Sequence, residues 1–289
     1  MKKWLYFIVE HYSIVMRIYL FIFNKFDVKN KGNIRIEGRN IRKNHVVVHG
    51  NSIIIIGKAC SIQNNTIQIE GHNNKVILGE GAELYGQGKR SIFVKGDNNK
   101  IVIGNCSKIE DGNIFILGNN NQIHIESKFS GVAVEFHIEE DNNKLLIDKD
   151  TSMHGRDNRN IHIALDEGTT VHIGEDCMFS NDIQIRTSDS HSIINTEKER
   201  INPAKNIKVG NHCWLGLGCM LMKGTELADS TVVAAGAVCT KKYEHGNVVL
   251  AGNPAKVVKE KLIGIENYYK CELKDGYSKN YVKTKEQYL

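Results

Sequence analysis

Between residues 209 and 238 the large aliphatic side chains fall at every sixth position: Val209, Leu215, Leu221, Leu227 and Val233. A helix repeats at 3.6 residues and a strand at 2, so neither alone produces this step. A second column follows four residues behind the first and holds small side chains, at Cys213, Cys219, Thr225, Thr231 and Ala237. Six residues make one flat strand plus a corner, and three such sides close a coil of about eighteen residues. The first column then points inward along the flat sides and the second points inward near the corners, where only small groups fit. The spacing predicts a parallel β-helix, an all-β fold, over this stretch. Ile173, Phe179 and Ile185 extend the large column upstream, and Cys177 and Ile183 extend the other.

Further back the period loosens. "GHNNKVIL" (71–78), "GDNNKIVI" (96–103), "GNNNQIHI" (118–125) and "EDNNKLLI" (140–147) recur at intervals of 25, 22 and 22 residues. Asn and Gly tolerate left-handed backbone angles, so the polar tetrad reads as a corner and the apolar residues after it as a strand. Residues 33–150 are therefore expected to form irregular coils of the same rod, with bulged corners; a different β-helix with longer coils remains an alternative for that stretch. Residues 151–260 form the regular part. At about 4.8 Å per coil, ten to eleven coils make a rod on the order of 50 Å long. The Lys- and Tyr-rich stretch 261–289 reads as a loosely docked extension without a site.

The segment "WLYFIVEHYSIVMRIYLFIF" (4–23) is strongly apolar but contains Glu10 and Arg17. A membrane-spanning helix wants about 20 mostly apolar residues with few charges, and no signal-peptide cleavage site follows. The expectation is an N-terminal helix within residues 1–32 that packs on the body, as a cap for the first coil, or on another subunit, with lying on a membrane surface and then spanning it as the less favoured alternatives. The composition agrees with many short strands and tight turns: 26 glycines, two prolines and abundant Ile, Val and Asn. A net charge of +5, with no basic, aromatic-interleaved stripe before the last thirty residues, argues against a nucleic-acid partner. The seven cysteines show no C-x2-C spacing or zinc-finger cluster, and their odd, unclustered count suits a reducing cytoplasm; Cys177, Cys213 and Cys219, at small-residue positions of the repeat, read as buried fillers.

Between Ile185 and Ile207 the repeat stops for "RTSDSHSIINTEKERINPAKN". Loops on rigid scaffolds carry function out of proportion to their number. This one holds His191, two residues after Asp189, and histidine suits proton transfer near neutral pH. Asp189 is the candidate to orient the ring or raise its basicity.

The loop, "IKVGNHCWLG", "VVAAGAVCTK" and the closing "VVLAGNPAKVVKE" together resemble the hexapeptide-repeat acyltransferases, and within them the galactoside, maltose and polysaccharide O-acetyltransferase branch. The likeness is good over about 160–260 and only general before 150. It implies a left-handed parallel β-helix, a homotrimer, and acetyl-CoA as acyl donor in the cleft between neighbouring helices, with no metal required. The family's catalytic histidine falls on His191, which stands 23 residues before the signature Trp214. An acceptor-binding Asn falls on Asn160. Contacts to acetyl-CoA fall on Leu217, Ala235 and Thr240, and the cations for its phosphates on Lys241, Lys256 and Lys259. Several relatives carry Arg at the Lys256 position; Lys supplies the charge without the bidentate fork.

Rival readings separate on sequence features. A γ-type carbonic anhydrase on the same scaffold wants an H-x4-H pair, and no two histidines here are five apart. A non-catalytic solenoid needs only the Asn ladders and leaves His191, Trp214 and "GNPAK" without a purpose. An N-acetyltransferase of an aminosugar nucleotide would keep His191 in a similar role. The long rod and the apolar N-terminus point to a large or tethered carbohydrate acceptor, a capsular or lipopolysaccharide glycan, met in the cytoplasm or at the inner membrane face.

Overall fold

Each six-residue step carries the chain onto the next face of a three-sided prism. In the computed structural model, which describes residues 7–8, 20, 22–38, 40–88, 90–155, 160–262, 267–272 and 279–282, Val209 lies on the first face, Leu215 on the second and Leu221 on the third; Leu227 and Val233 begin the next coil. One earlier coil shows the same order, with Lys75–Leu78 on face 1, Glu83–Tyr85 on face 2 and Arg90–Lys95 on face 3. Among the described residues the faces are parallel sheets of 11, 11 and 10 strands, the only antiparallel member being Lys256–Lys259 at the end of face 2. The structure is thus an all-β parallel solenoid. All ten residues of the two period-six columns are buried, none more than 2% exposed.

The irregular half continues the same three sheets. Strand register pairs Ile101 with Val76, Ile123 with Ile101 and Leu145 with Ile123, so each "NN" tetrad opens one coil. At these corners Asn plays two roles. The third residue of each tetrad, Asn73, Asn98, Asn120 and Asn142, takes a positive φ of 56–65°. The fourth points inward. Ser52, Asn74, Asn99, Asn121, Asn143 and Thr169 form a buried ladder in which the side-chain oxygen of each lower member accepts the backbone N–H of the next, at 2.8–3.1 Å. The amide nitrogens donate to corner carbonyls, Asn99 to Gly118 at 2.8 Å and Asn121 to Glu140 at 2.8 Å. A buried backbone group left without a partner costs about 1–3 kcal/mol, so the ladder is what lets a polar corner face the core. Glycine opens the tetrad at 96 because φ is 135° there and a Cβ would collide with the carbonyl oxygen of Gly118 one coil up.

The N-terminus departs from the expected helix. Phe7–Ile8 pairs in parallel with Ile34 and Arg35, adding a strand to face 1, and helical conformation is confined to Leu20, Ile22 and Phe23 among the described residues. An apolar run without a clear period serves a strand as well as a helix. The remainder of the expected helix lies outside the described residues. No helix among the described residues is long and apolar enough to cross a membrane. Beyond residue 262, Asn267–Glu272 and Lys279–Val282 pair as an antiparallel hairpin.

Replacing Asn121 by Ala removes one rung and strands the groups above and below it. The expected result is a loss of about 2 kcal/mol or more, read as a lower urea midpoint, while Asn119→Ala at the partly exposed second position of the tetrad moves it far less. Equal midpoints for the two variants would remove the ladder from its structural role.

Candidate active site

The Asn ladder climbs the corner between faces 3 and 1 and stops where the long loop begins. Its last member, Thr169, donates to the Thr187 hydroxyl at 2.7 Å, and Asn206 Oδ1 accepts the N–H of Thr170 at 2.9 Å. Residues 188–204 are the insertion between them. Stacked partners are 36 residues apart across it, Glu175 to Asn211, and 18 apart just beyond it, Asn211 to Asp229. Its base is pinched shut by Lys205 N–H donating to the Thr187 carbonyl at 2.9 Å. Beyond the base the chain folds into a short antiparallel arm, with Ile194 bridged to Arg200 and Ile201 N–H donating to the Ile193 carbonyl.

Neighbouring coils hold the loop from both sides. Below, Glu167 takes the Arg200 guanidinium on both carboxylate oxygens, at 2.8 and 2.5 Å, and accepts the Ser188 hydroxyl at 3.1 Å. Above, Lys223 donates to Asp189 at 2.5 Å and to the Asn202 carbonyl at 3.1 Å. The buried Asn202 links the parts: its amide donates to Asp189 at 2.7 Å and to the His191 carbonyl at 2.8 Å, and its oxygen accepts the Ile193 N–H at 2.6 Å. The imidazole of His191 is exposed and stands free of this network. Asp189 does not meet the ring as the sequence suggested. Lys223 and Asn202 engage its carboxylate, which positions the His191 backbone instead. Lys223 and Asn202 hold the Asp189 carboxyl below the usual carboxylate range, and Arg200 does the same to Glu167.

The other candidate residues fall into two groups. Thr240 and Lys241 are exposed on the loop's corner, Lys241 lying 5.7 Å over the Tyr243 ring. Trp214 points outward from face 2 at 45% exposure. Leu217 and Ala235 sit at the corner between faces 2 and 3 on consecutive coils, where Gly236 N–H donates to the Leu217 carbonyl at 2.8 Å. Lys256 and Lys259 are exposed on the last strand of face 2. Asn160 is exposed at the corner between faces 2 and 3, one coil below the loop's level. In a triangular prism the corner between faces 3 and 1 lies opposite face 2. One chain therefore presents His191 and Trp214 on opposite sides of the rod, and no hydrogen bond or ring contact joins them.

Cysteine chemistry is disfavoured by placement. Cys177, Cys213, Cys219 and Cys239 point into the coil, and burial pushes the Cys219 thiol up to about 12 and the Cys239 thiol to about 11. Glu167, Asn202, Arg200 and Lys223 were not among the candidates from sequence. A loop read as a corner insertion has its clamps one coil below and one above, and that stacking was the available signal.

No family model matches the chain. It is 33% identical over 177 residues to a polysialic acid O-acetyltransferase of Neisseria meningitidis, a match covering 61% of this chain and 79% of that protein. It is 26% identical over 110 residues to the galactoside O-acetyltransferase of Escherichia coli K12, covering 38% of this chain and 54% of the relative. Among solved structures, the polysialic acid O-acetyltransferase OatWY superposes with a TM-score of 0.56 at 26% identity, over 88% of this chain and 96% of that one.

The depressed carboxyls set the pH behaviour of the loop. Their contribution is present above the ordinary carboxylate range and is lost as pH falls through the lowered values. Hydrogen exchange, corrected for intrinsic rate, should show residues 188–204 protected at neutral pH and opening below about pH 4. Glu167→Gln should open the same segment at neutral pH while the coils stay protected. A loop already unprotected at neutral pH, or one indifferent to Glu167→Gln, would contradict the clamp.

Proposed function

The chain belongs to the hexapeptide-repeat acyltransferases, in the branch of the polysialic acid and galactoside O-acetyltransferases, and from that premise we propose that it transfers the acetyl group of acetyl-CoA to a hydroxyl of a surface polysaccharide. The left-handed coil of that family is the hand we assign to the rod. The observation that carries the mechanism is the clamped loop, which holds the exposed His191 on a backbone fixed by Asn202. A free imidazole on a rigid mount can approach an acceptor hydroxyl at hydrogen-bonding distance, which is the first requirement of a general base.

In the reaction His191 takes the proton of the attacking hydroxyl as its oxygen bonds to the thioester carbonyl carbon. The carbonyl becomes a tetrahedral oxyanion, which a backbone N–H or the Trp214 indole N–H stabilises. Collapse breaks the C–S bond, and the imidazolium returns the proton to the departing CoA thiolate. The products are an acetyl ester and free CoA, and none of these steps uses a metal.

The opposed placement of the two residue groups supports a site built between copies. His191, Thr240 and Lys241 would come from one subunit, and Trp214, Leu217, Ala235, Lys256, Lys259 and the acceptor contact Asn160 from its neighbour. A homotrimer closes three such clefts by one rotation. The exposed Ile193, Ile194 and Ile201, each over half accessible, give the loop arm an apolar surface that a second subunit would cover. The reaction is placed in the cytoplasm, where the acyl donor is made; contact of the N-terminal segment with the inner membrane face would bring the enzyme to a growing glycan. The polysialic acid relatives favour an anionic, sialic-acid-containing acceptor.

Incubation with radiolabelled acetyl-CoA and a panel containing polysialic acid, a galactoside and an aminosugar nucleotide tests this reading. Label should pass to the polymer as an alkali-labile ester. Alkali-stable label on the aminosugar would favour N-acetylation, and no transfer to any carbohydrate would favour a binding solenoid. His191→Ala should slow transfer by roughly 10²–10⁴-fold with CoA affinity little changed, whereas Lys241→Glu or Lys256→Glu should weaken CoA binding in calorimetry and leave the oligomer intact. Near-normal turnover by the His191→Ala enzyme would overturn the role of the histidine.

A further inference from the structure

Face 3 carries a second cluster of chemically capable side chains below the loop. Glu135 and His137 project outward from the strand Val134–Glu139, two residues apart and therefore on the same side of the sheet. His162, on the strand Ile161–Leu165, is the direct register partner of Glu135. The backbone thus fixes a triangle of two imidazoles and one carboxylate across two coils. One ligand-capable atom from each lies within 4.8 Å of the others, and all three residues are half-buried. A tetrahedral ion with bonds near 2.0–2.1 Å wants ligand atoms about 3.3 Å apart. The 4.8 Å bound admits that spacing, and a bound ion would draw the three atoms in by small adjustments.

The surroundings match those of a ligand set. One nitrogen of His162, Nδ1, lies 3.2 Å from Gln184 Oε1 on the coil above, and His137 Nε2 lies 3.0 Å from Glu139 Oε1. Each ring so has one nitrogen held by an oxygen acceptor and a second left for coordination, the arrangement that fixes tautomer and orientation in histidine metal sites. The plane of His137 is further set by stacking on Phe115, with ring centroids 4.7 Å apart, and the edge of His162 lies against it at 5.9 Å. An isolated exposed histidine on a strand needs none of these supports.

We propose that Glu135, His137 and His162 bind one divalent ion of borderline softness, zinc being the natural occupant of a two-imidazole, one-carboxylate set. The ion ties two adjacent coils of face 3 together, and its remaining position faces solvent, open to water or to an oxygen of a carbohydrate. The site is separate from the proton transfer assigned to His191, and the proposal does not depend on acetyl transfer.

The test uses the purified full chain after treatment with a chelator. Titration with Zn²⁺ in a calorimeter should show one saturable site, and Co²⁺ at the same site should give the intense visible absorption of a low-coordinate ion. His137→Ala, His162→Ala and Glu135→Gln should each weaken binding by about ten-fold or more, and Gln184→Ala by less. His172→Ala, on face 1, should leave it unchanged. Zn²⁺ should raise the melting midpoint of the wild type and not of the His162→Ala protein, whose metal-free melting controls for folding. Absence of saturable Zn²⁺ binding, or binding indifferent to the three substitutions, would overturn the proposal.

Discussion

Everything in this molecule depends on stacking each coil on the one below in register. A parallel strand that repeats at about 4.8 Å meets its own equivalent above and below, so an inward position must suit a column and not only itself. Flat sides meet this condition with Ile, Val and Leu. Corners are harder, because the backbone turns there and its polar groups face the interior. The Asn ladder from Ser52 to Thr169 resolves this by letting each side chain partner the next coil's N–H. Where the coils regain strict period six, small residues such as Cys213 and Thr231 occupy the corners, and the same space is closed without amides.

That constraint also decides where chemistry can be placed. A strand cannot lengthen without breaking three sheets, so an insertion has to leave from a corner. The loop does so where the ladder ends, and the coils on either side supply its anchors, Glu167 from below and Lys223 from above. A rigid rod thereby holds a histidine on a surface loop without burying it. The same geometry sets that loop opposite the face bearing Trp214, which is why the proposed site draws on a second copy.

How much of this was legible beforehand follows from distance along the chain. The two-column repeat and the 25-, 22- and 22-residue intervals are local patterns, and they located the faces, the corners and the long break. The inward role of Asn99 or Asn121 was harder to read, because a corner Asn also satisfies a left-handed backbone and the sequence does not separate the two uses. The partners of Asp189 escaped altogether. Lys223 lies 34 residues away and Asn202 13, and only stacking brings them together. Asp189 beside His191 in sequence suggested contact with the ring; in space Lys223 and Asn202 take the carboxylate instead. The apolar N-terminus was misread at Phe7–Ile8 because it has composition without period.

Subunit complementation tests the central claim, that catalysis needs the loop of one copy and face 2 of another. His191→Ala and Trp214→Ala proteins, each deficient alone, would be unfolded together, refolded as mixed oligomers and assayed for acetyl transfer. Random mixing leaves about a quarter of the inter-subunit clefts with both native residues, so activity should return to about a quarter of the wild-type rate. Mixed oligomers no more active than their deficient parents would contradict the account.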